Sequence, residues 1–239
     1  MVARASHMAD RILRVKYSDS VSPQKRFESV LGYLQRLIED GIRDEYVRRK
    51  AVDIVHKAGV RPHDELGEIR AIVTWVQNNV HYIKDIHTVE QFQTARRLLK
   101  DVEEGRSAAD CDDFVILGAA LLGSIGYPSG ALIVDSNADG VFNHVMLLTR
   151  TTAPTKEFGT KWIPAELIFP TFKLGKSVPI SKVYPLLADP NSTRIPVMQQ
   201  QVNGLGRGPM HSSVQPSSDL LGALTPRPLI WAQRWLGRR

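Results

Sequence analysis

The chain has 239 residues, of which 43% are hydrophobic, a formal net charge of +6 and a single cysteine. This length and composition predict one core-forming domain of ordinary size with extensions. The cysteine count excludes an intrachain disulfide and a metal site built from several thiolates. The charge permits contact with nucleic acid or an anionic surface, but the basic residues are scattered through both halves. A solvated surface therefore explains them better than a specific nucleic-acid site.

The sequence contains no apolar run of the roughly 18 residues that a transmembrane helix requires, and its N-terminus lacks the apolar region of a signal peptide. We therefore expect a soluble, intracellular protein, and one cysteine fits a reducing compartment. Residues 1–21 are predicted to be a leader and an extended N-terminus. Residues 1–7 have the style of a vector-derived leader, which makes Met8 the expected natural start.

The first half of the chain, residues 22–104, is predicted to form a helical layer. Ser22-Pro23 supplies an N-cap and a proline for the first turn, and apolar residues then recur on one face up to Ile38. Further helices are predicted at about residues 44–57, 64–79 and 89–100, the last within a mixed segment at residues 81–105.

A buried helix is predicted to begin at the cysteine. Cys111 opens a run in which Phe114, Leu117 and Leu121 recur at helical spacing and alanines fill most other faces. Three carboxylates stand at the front of this helix, at positions 110, 112 and 113, where they favour the positive end of the helix dipole.

After Pro128 the pattern changes to three consecutive antiparallel strands, predicted at residues 131–134, 141–148 and 161–167. Residues 135–140, between the first two strands, resemble the front of a calcium loop. An EF-hand loop needs a glutamate at its twelfth position, where this chain has Met146, so a hairpin turn is predicted instead. The predicted core, residues 105–190, completes a single domain at residues 22–190.

Residues 191–239 are predicted to be a flexible polar tail without a core of its own. Its end, residues 226–239, concentrates Trp231 and Trp235 among arginines. Such a segment can dock on a partner or a membrane surface, or fold back over the core of the protein itself. The sequence leaves these alternatives open.

The cysteine itself has two interpretations, a small buried apolar residue or a nucleophile. The unpaired N–H groups and the dipole at a helix N-terminus lower a thiol pKa and can hold an oxyanion. Three neighbouring carboxylates act in the opposite direction, since negative charge disfavours a thiolate.

Thiol acyl transfer also needs an imidazole that accepts the proton and a polar group that orients this imidazole. His144 lies in the second predicted strand and Glu166 ends the third, and adjacent antiparallel strands can place the two side by side. Alternatively, His144 is a hydrogen-bonded core histidine and Glu166 is a surface carboxylate. The other histidines lie upstream of the cysteine or in the tail.

Five segments together resemble a known family. They are Trp75 to Tyr82, Asp110-Cys111-Asp112-Asp113-Phe114, Leu122-Gly123-Ser124-Ile125-Gly126-Tyr127-Pro128, Asn143-His144-Val145 and Trp162-Ile163-Pro164-Ala165-Glu166. Across roughly residues 65–172 the chain resembles the transglutaminase-like branch of the papain-like thiol enzymes. It is most similar to the transglutaminase-like cysteine peptidases of tailed bacteriophages and prophages, in which segments like Tyr82-x-x-Asp85 and Glu90-x-x-Gln93 precede an Asp-Cys-Asp-Asp motif. Glu166 replaces the usual aspartate, and Ala109 a usual glycine.

The resemblance implies an α+β fold in which a central helix bearing Cys111 packs on a small antiparallel sheet beside an N-terminal helical layer. It implies a catalytic Cys111-His144-Glu166 triad. An oxyanion hole would use the Cys111 backbone N–H with Gln93 or Trp75, although Trp75 fits the core more simply. It implies no metal or organic cofactor.

The implied activity is a cysteine peptidase, amidase or transglutaminase-type cross-linker that acts on a protein or peptide substrate, is phage- or prophage-encoded and works in the host cytoplasm or the virion. The alternative is a catalytically silent structural or adaptor protein that binds a phage structural protein through residues 226–239.

Overall fold

The computed structural model describes residues 10–18, 20–84 and 90–188. The predictions for the leader at 1–7 and for the tail at 191–239 lie outside these residues. The helices are α1 (Pro23–Ile42), α2 (Glu45–Lys57), α3 (Glu65–Asn79), α4 (Ala95–Glu103) and α5 (Cys111–Ser124). The strands are β1 (Ile12–Val15), β2 (Glu90–Gln93), β3 (Ser129–Asp135), β4 (His144–Thr149), β5 (Ile163–Ala165) and β6 (Lys182–Leu187).

The first three helices begin where the sequence predicts. Ser22, Asp44 and Asp64 are their N-caps, and each side chain accepts a hydrogen bond from a backbone N–H of the first turn. These contacts satisfy donors that otherwise lack an intrahelical partner. None of the described helices is both long and apolar enough to cross a membrane.

Helix α5 is the centre of the fold. It contacts α1, α2, α3 and α4 on one side and β3 and β4 on the other, and all of its residues from Asp112 to Leu122 are buried. The predicted α+β class, with a central helix on an antiparallel sheet, is confirmed. Because α5 is enclosed on both sides, its N-terminus is held in a fixed position relative to the sheet.

Close packing of α1 on α5 depends on Gly41, because a Cβ atom there would lie 2.6 Å from the Cβ of Ala120. We expect Gly41→Ala to lower the free energy of unfolding by about 1–3 kcal/mol through overpacking. Gly32 is a matched control in the same helix with nothing within 4 Å. Gly32→Ala should raise stability by roughly 0.5–1 kcal/mol through helix propensity. Urea denaturation measures the free energy of unfolding of both variants. Equal changes in the two variants would contradict the close contact between Gly41 and Ala120.

The main sheet has the strand order β5-β4-β3-β6, and every neighbouring pair is antiparallel. One face packs on α5 and includes Ile133, Val145 and Leu147. The opposite face carries a second apolar cluster that includes Val134, Met146, Leu148 and Val178.

The loop between β3 and β4 is the predicted hairpin turn. The Asp135 carboxylate accepts backbone N–H bonds from Asn137, Ala138 and Gly140 at 3.3, 2.8 and 2.8 Å. Strand β4 begins at His144 rather than at 141, because the Asn143 side chain bonds back into the turn and accepts from Ser136 N at 3.0 Å.

Two parts of the fold differ from the sequence prediction. Residues 90–93 form strand β2, paired with β1, where a helix was predicted from about Val89. That helix begins instead at Ala95, after the N-cap Thr94. Strand β6 was not predicted, and Pro185 within it obscures the strand pattern. It lies at the edge of the sheet, where proline is tolerated.

Candidate active site

The backbone at the start of α5 is arranged by Asp110. Its Oδ1 accepts the N–H groups of Asp112 and Asp113 at 3.1 and 3.2 Å, so Asp110 is the N-cap of this helix. Cys111 is the first residue of the helix and is partly exposed. Within the described part of the chain its backbone N–H has no acceptor, so this donor remains available to a ligand.

Gln93 is committed to a structural role. Both it and Asp113 are 3% exposed. Its backbone N–H and its Nε2 donate to the two Asp113 carboxylate oxygens at 2.6 and 2.7 Å, and Nε2 also lies 2.6 Å from the carbonyl of Ala108. These acceptors use both amide hydrogens. The prediction of Gln93 as an oxyanion donor is therefore not supported in this arrangement.

Trp75 is a packing residue in the structure. It packs against the main core, and its indole ring lies 5.4 Å from Nζ of Lys50, a residue of α2. The ring is thus on the α2 side of α3, in agreement with the simpler of its two predicted roles. Its candidacy as an oxyanion donor gains no support from these contacts.

His144 and Glu166 form a buried pair. Nε2 of His144 lies 2.7 Å from Oε2 of Glu166, and the two side chains are 8% and 1% exposed. The other carboxylate oxygen of Glu166 accepts the N–H of Ile168 at 3.0 Å. A carboxylate opposite Nε2 makes this nitrogen the donor, which leaves Nδ1 of the neutral imidazole as an acceptor.

The sulfur of Cys111 lies beside this pair. It lies near the backbone N–H of Val145, the residue that follows His144, and near Glu166, and both groups act on the pKa of the thiol. The thiol donates to Oδ1 of its neighbour Asp112 at 3.6 Å. Within the described residues, no hydrogen bond joins the thiol to the imidazole of His144.

The surroundings of Cys111 favour the protonated thiol. Burial raises the pKa of this thiol well above its ordinary value, and the negative charges of Asp112, Asp110 and Glu166 raise it further. The N–H of Val145 acts in the opposite direction, because it stabilises the thiolate. In this resting arrangement Cys111 therefore carries its proton at neutral pH.

We expect Asp112→Asn to lower the pKa of the Cys111 thiol, because one of the nearby negative charges is removed. Alkylation by iodoacetamide, followed from pH 6 to 10, should shift to lower pH and accelerate at pH 7 by about threefold to tenfold. Asp53→Asn is the control, because this carboxylate lies on α2 in an ion pair with Lys57, and it should leave the curve in place. An unchanged curve for Asp112→Asn would show that this carboxylate does not act on the thiol.

Gln77 is a site residue that the sequence prediction missed. It is 7% exposed, and its Nε2 lies 2.8 Å from the backbone carbonyl of Glu166. One signal was present in the sequence, because Gln77 follows Val73 by four residues and so lies on the apolar face of α3. A glutamine on a buried face requires hydrogen-bond partners.

Within residues 10–18, 20–84 and 90–188, no three His, Cys, Asp or Glu side chains are grouped so that they could hold a metal ion. Neither a protein-family model nor a curated protein matches the sequence. Among solved structures the chain is similar to a proposed cysteine protease from Cytophaga hutchinsonii, with 14% identity and a TM-score of 0.40 over 75% of this chain and 54% of that one. The chain thus spans about half the length of the protein that it matches.

Proposed function

We propose that this protein is a thiol-dependent acyl-transfer enzyme that acts on an amide bond, with Cys111 as the nucleophile, His144 as the proton carrier and Glu166 as the group that orients His144. The observation that carries the proposal is the buried His144–Glu166 pair, with 2.7 Å between Nε2 and Oε2, beside a cysteine at a helix N-terminus. A buried carboxylate that fixes one imidazole tautomer is the arrangement that acid–base chemistry requires.

The reaction uses Nδ1 of His144 as the base. The thiol leaves Asp112 and gives its proton to Nδ1, and the sulfur attacks the carbonyl carbon. The backbone N–H of Cys111 donates to the resulting oxyanion. The imidazolium then protonates the leaving amine, the C–N bond breaks, and a thioester remains on Cys111.

The second half of the reaction returns the thiol. Water gives a carboxylic acid, and a primary amine gives a new amide; in both cases His144 accepts a proton from the attacking group and returns one to the sulfur. A peptidase or amidase and a cross-linking acyltransferase therefore share this site. Protein and peptide amides are the proposed substrates, and a phage or prophage origin is proposed on the sequence resemblance.

Acylation with p-nitrophenyl acetate tests the proposal without a known substrate. We expect a burst of p-nitrophenolate and one acetyl group on Cys111, located by peptide mapping. Addition of cadaverine separates the two outcomes, because N-acetylcadaverine in excess of the uncatalysed aminolysis forms only if the amine competes with water for the thioester. A chain that remains unacetylated at Cys111 while folded would overturn the proposal.

A catalytically silent structural or adaptor protein is the second candidate. Two observations favour it. Burial and Asp112 raise the pKa of the Cys111 thiol, so the thiol keeps its proton. The thiol also donates its hydrogen bond to Asp112 and not to the imidazole. In that case the partner would be a phage structural protein that binds residues 226–239. Deletion of these residues should abolish co-purification of that partner and leave thiol reactivity unchanged, and retained binding would reject this role for the tail.

A further inference from the structure

The backbone that carries Glu166 has little support from the sheet. Strand β5 has three residues and, among the described strands, pairs only with β4, through Ala165 opposite Leu147 at its last position. Glu166 follows immediately, outside the strand, and its chain continues through a turn closed by Phe172 N to Phe169 O at 3.0 Å. Contacts from outside the sheet therefore help to fix the backbone position of this residue.

Gln77 supplies these contacts from α3. Its Nε2 lies 2.8 Å from the carbonyl oxygen of Glu166, 2.9 Å from that of Phe172 and 3.3 Å from that of Phe169. An amide has two hydrogens, so the two shorter contacts take one each. The Gln77 side chain thus connects both ends of the segment 166–172 to α3, although Gln77 lies 89 residues before Glu166 in the chain.

The side-chain contacts of Glu166 depend on the same backbone. One carboxylate oxygen accepts the N–H of Ile168 within this segment, and the other meets Nε2 of His144. A change in the position of the segment would therefore change the distance and the angle at the imidazole. Displacements of about 1 Å at a catalytic group can cost roughly 100-fold in rate.

We propose that Gln77 is the positioning residue of this site, and that its amide sets the orientation of Glu166 towards His144 without touching the substrate. This inference deepens the proposed function and depends on it for the kinetic part of its test. The geometric part of the test does not require any activity.

The matched variants are Gln77→Met, which keeps the size of the side chain and removes the amide, and Gln77→Asn, which keeps an amide that is one methylene too short. Gln35→Met is the control, because Gln35 is also a buried helical glutamine, and its amide donates to Glu39 within α1. Thermal unfolding of all three variants shows whether each one folds. Gln77→Asn keeps the test decisive if the methionine variant does not fold.

The first readout is the low-field proton NMR signal of the imidazole N–H that donates to Glu166, assigned by its loss in His144→Ala. We expect this signal to weaken or shift in both Gln77 variants and to persist in Gln35→Met. An unchanged signal in a folded Gln77 variant would overturn the proposal, whether or not the protein is an enzyme.

The second readout is the kinetics with p-nitrophenyl acetate. A positioning role predicts that kcat falls by about 10- to 100-fold while KM stays within about twofold, and that Gln35→Met matches the wild type. If the wild-type protein shows no turnover, the proposed function fails, and the NMR signal still decides the role of Gln77. A loss of thermal stability with unchanged kcat and unchanged NMR signal would assign Gln77 a structural role alone.

Discussion

Replacing Cys111 by alanine should abolish acyl transfer to p-nitrophenyl acetate, with a loss in kcat of about 10⁴-fold or more, because the covalent intermediate cannot form. The helix should remain intact, since its N-cap is Asp110 and the capping bonds go to the N–H groups of residues 112 and 113. Initial rates of p-nitrophenolate release, after subtraction of the uncatalysed reaction, measure the effect.

Thermal unfolding of Cys111→Ala provides the control for this loss. A melting temperature within a few degrees of the wild type would assign the loss of rate to the missing thiol, since a shift of a few degrees corresponds to about 1 kcal/mol or less in a domain of this size. Residual turnover at a substantial fraction of the wild-type rate would show that another group performs the chemistry.

Glu166→Gln should lower kcat by about 10³- to 10⁴-fold while the protein stays folded. The glutamine can keep its oxygen on the N–H of Ile168, which places its NH₂ group opposite Nε2 of His144. Two donors would then face each other, so the imidazole changes tautomer and carries its proton on Nδ1. In that form Nδ1 cannot accept the thiol proton.

Exposed Glu157 offers a matched control for this substitution, because it forms an ion pair with Arg70 on the surface. Glu157→Gln should leave kcat unchanged. Steady-state kinetics on both variants, with circular dichroism to confirm folding, make the comparison. Equal activity of Glu166→Gln and the wild type would show that the carboxylate does not set the tautomer of His144.

The helices of this protein were predictable because their signals are local. Ser22, Asp44 and Asp64 mark the start of three helices by short side chains that cap a neighbouring turn. Helix α5 was identified as buried because its apolar residues cover nearly every face. Capping and periodicity act within a few residues, so the sequence alone contains them.

The strands were less predictable because their partners are distant in the sequence. Strand β2 pairs with β1, with Leu13 opposite Phe92, and its polar sequence does not indicate a strand by itself. Strand β6 contains Pro185, a residue that normally argues against a strand. Pairing across such separations is decided by tertiary packing, which no local pattern reports.

In the candidate active site, too, local features were predictable from the sequence and contacts between distant segments were not. The sequence predicted that Cys111 begins a helix and that His144 and Glu166 lie side by side, and the structure places them so. The direction of the thiol towards Asp112 was not predictable, since it depends on a rotamer. The contacts of Gln93 and Gln77 were missed because each amide joins segments that are distant in the chain.

Alkylation of the single thiol tests the central claim that His144 activates Cys111. Iodoacetamide labelling at pH 7, followed by intact-mass spectrometry, should give one label per chain in the wild type and a rate at least about 10-fold lower in His144→Ala, because the base that accepts the thiol proton is absent. Equal labelling rates in two folded proteins would contradict this claim and leave Cys111 a thiol without a catalytic partner.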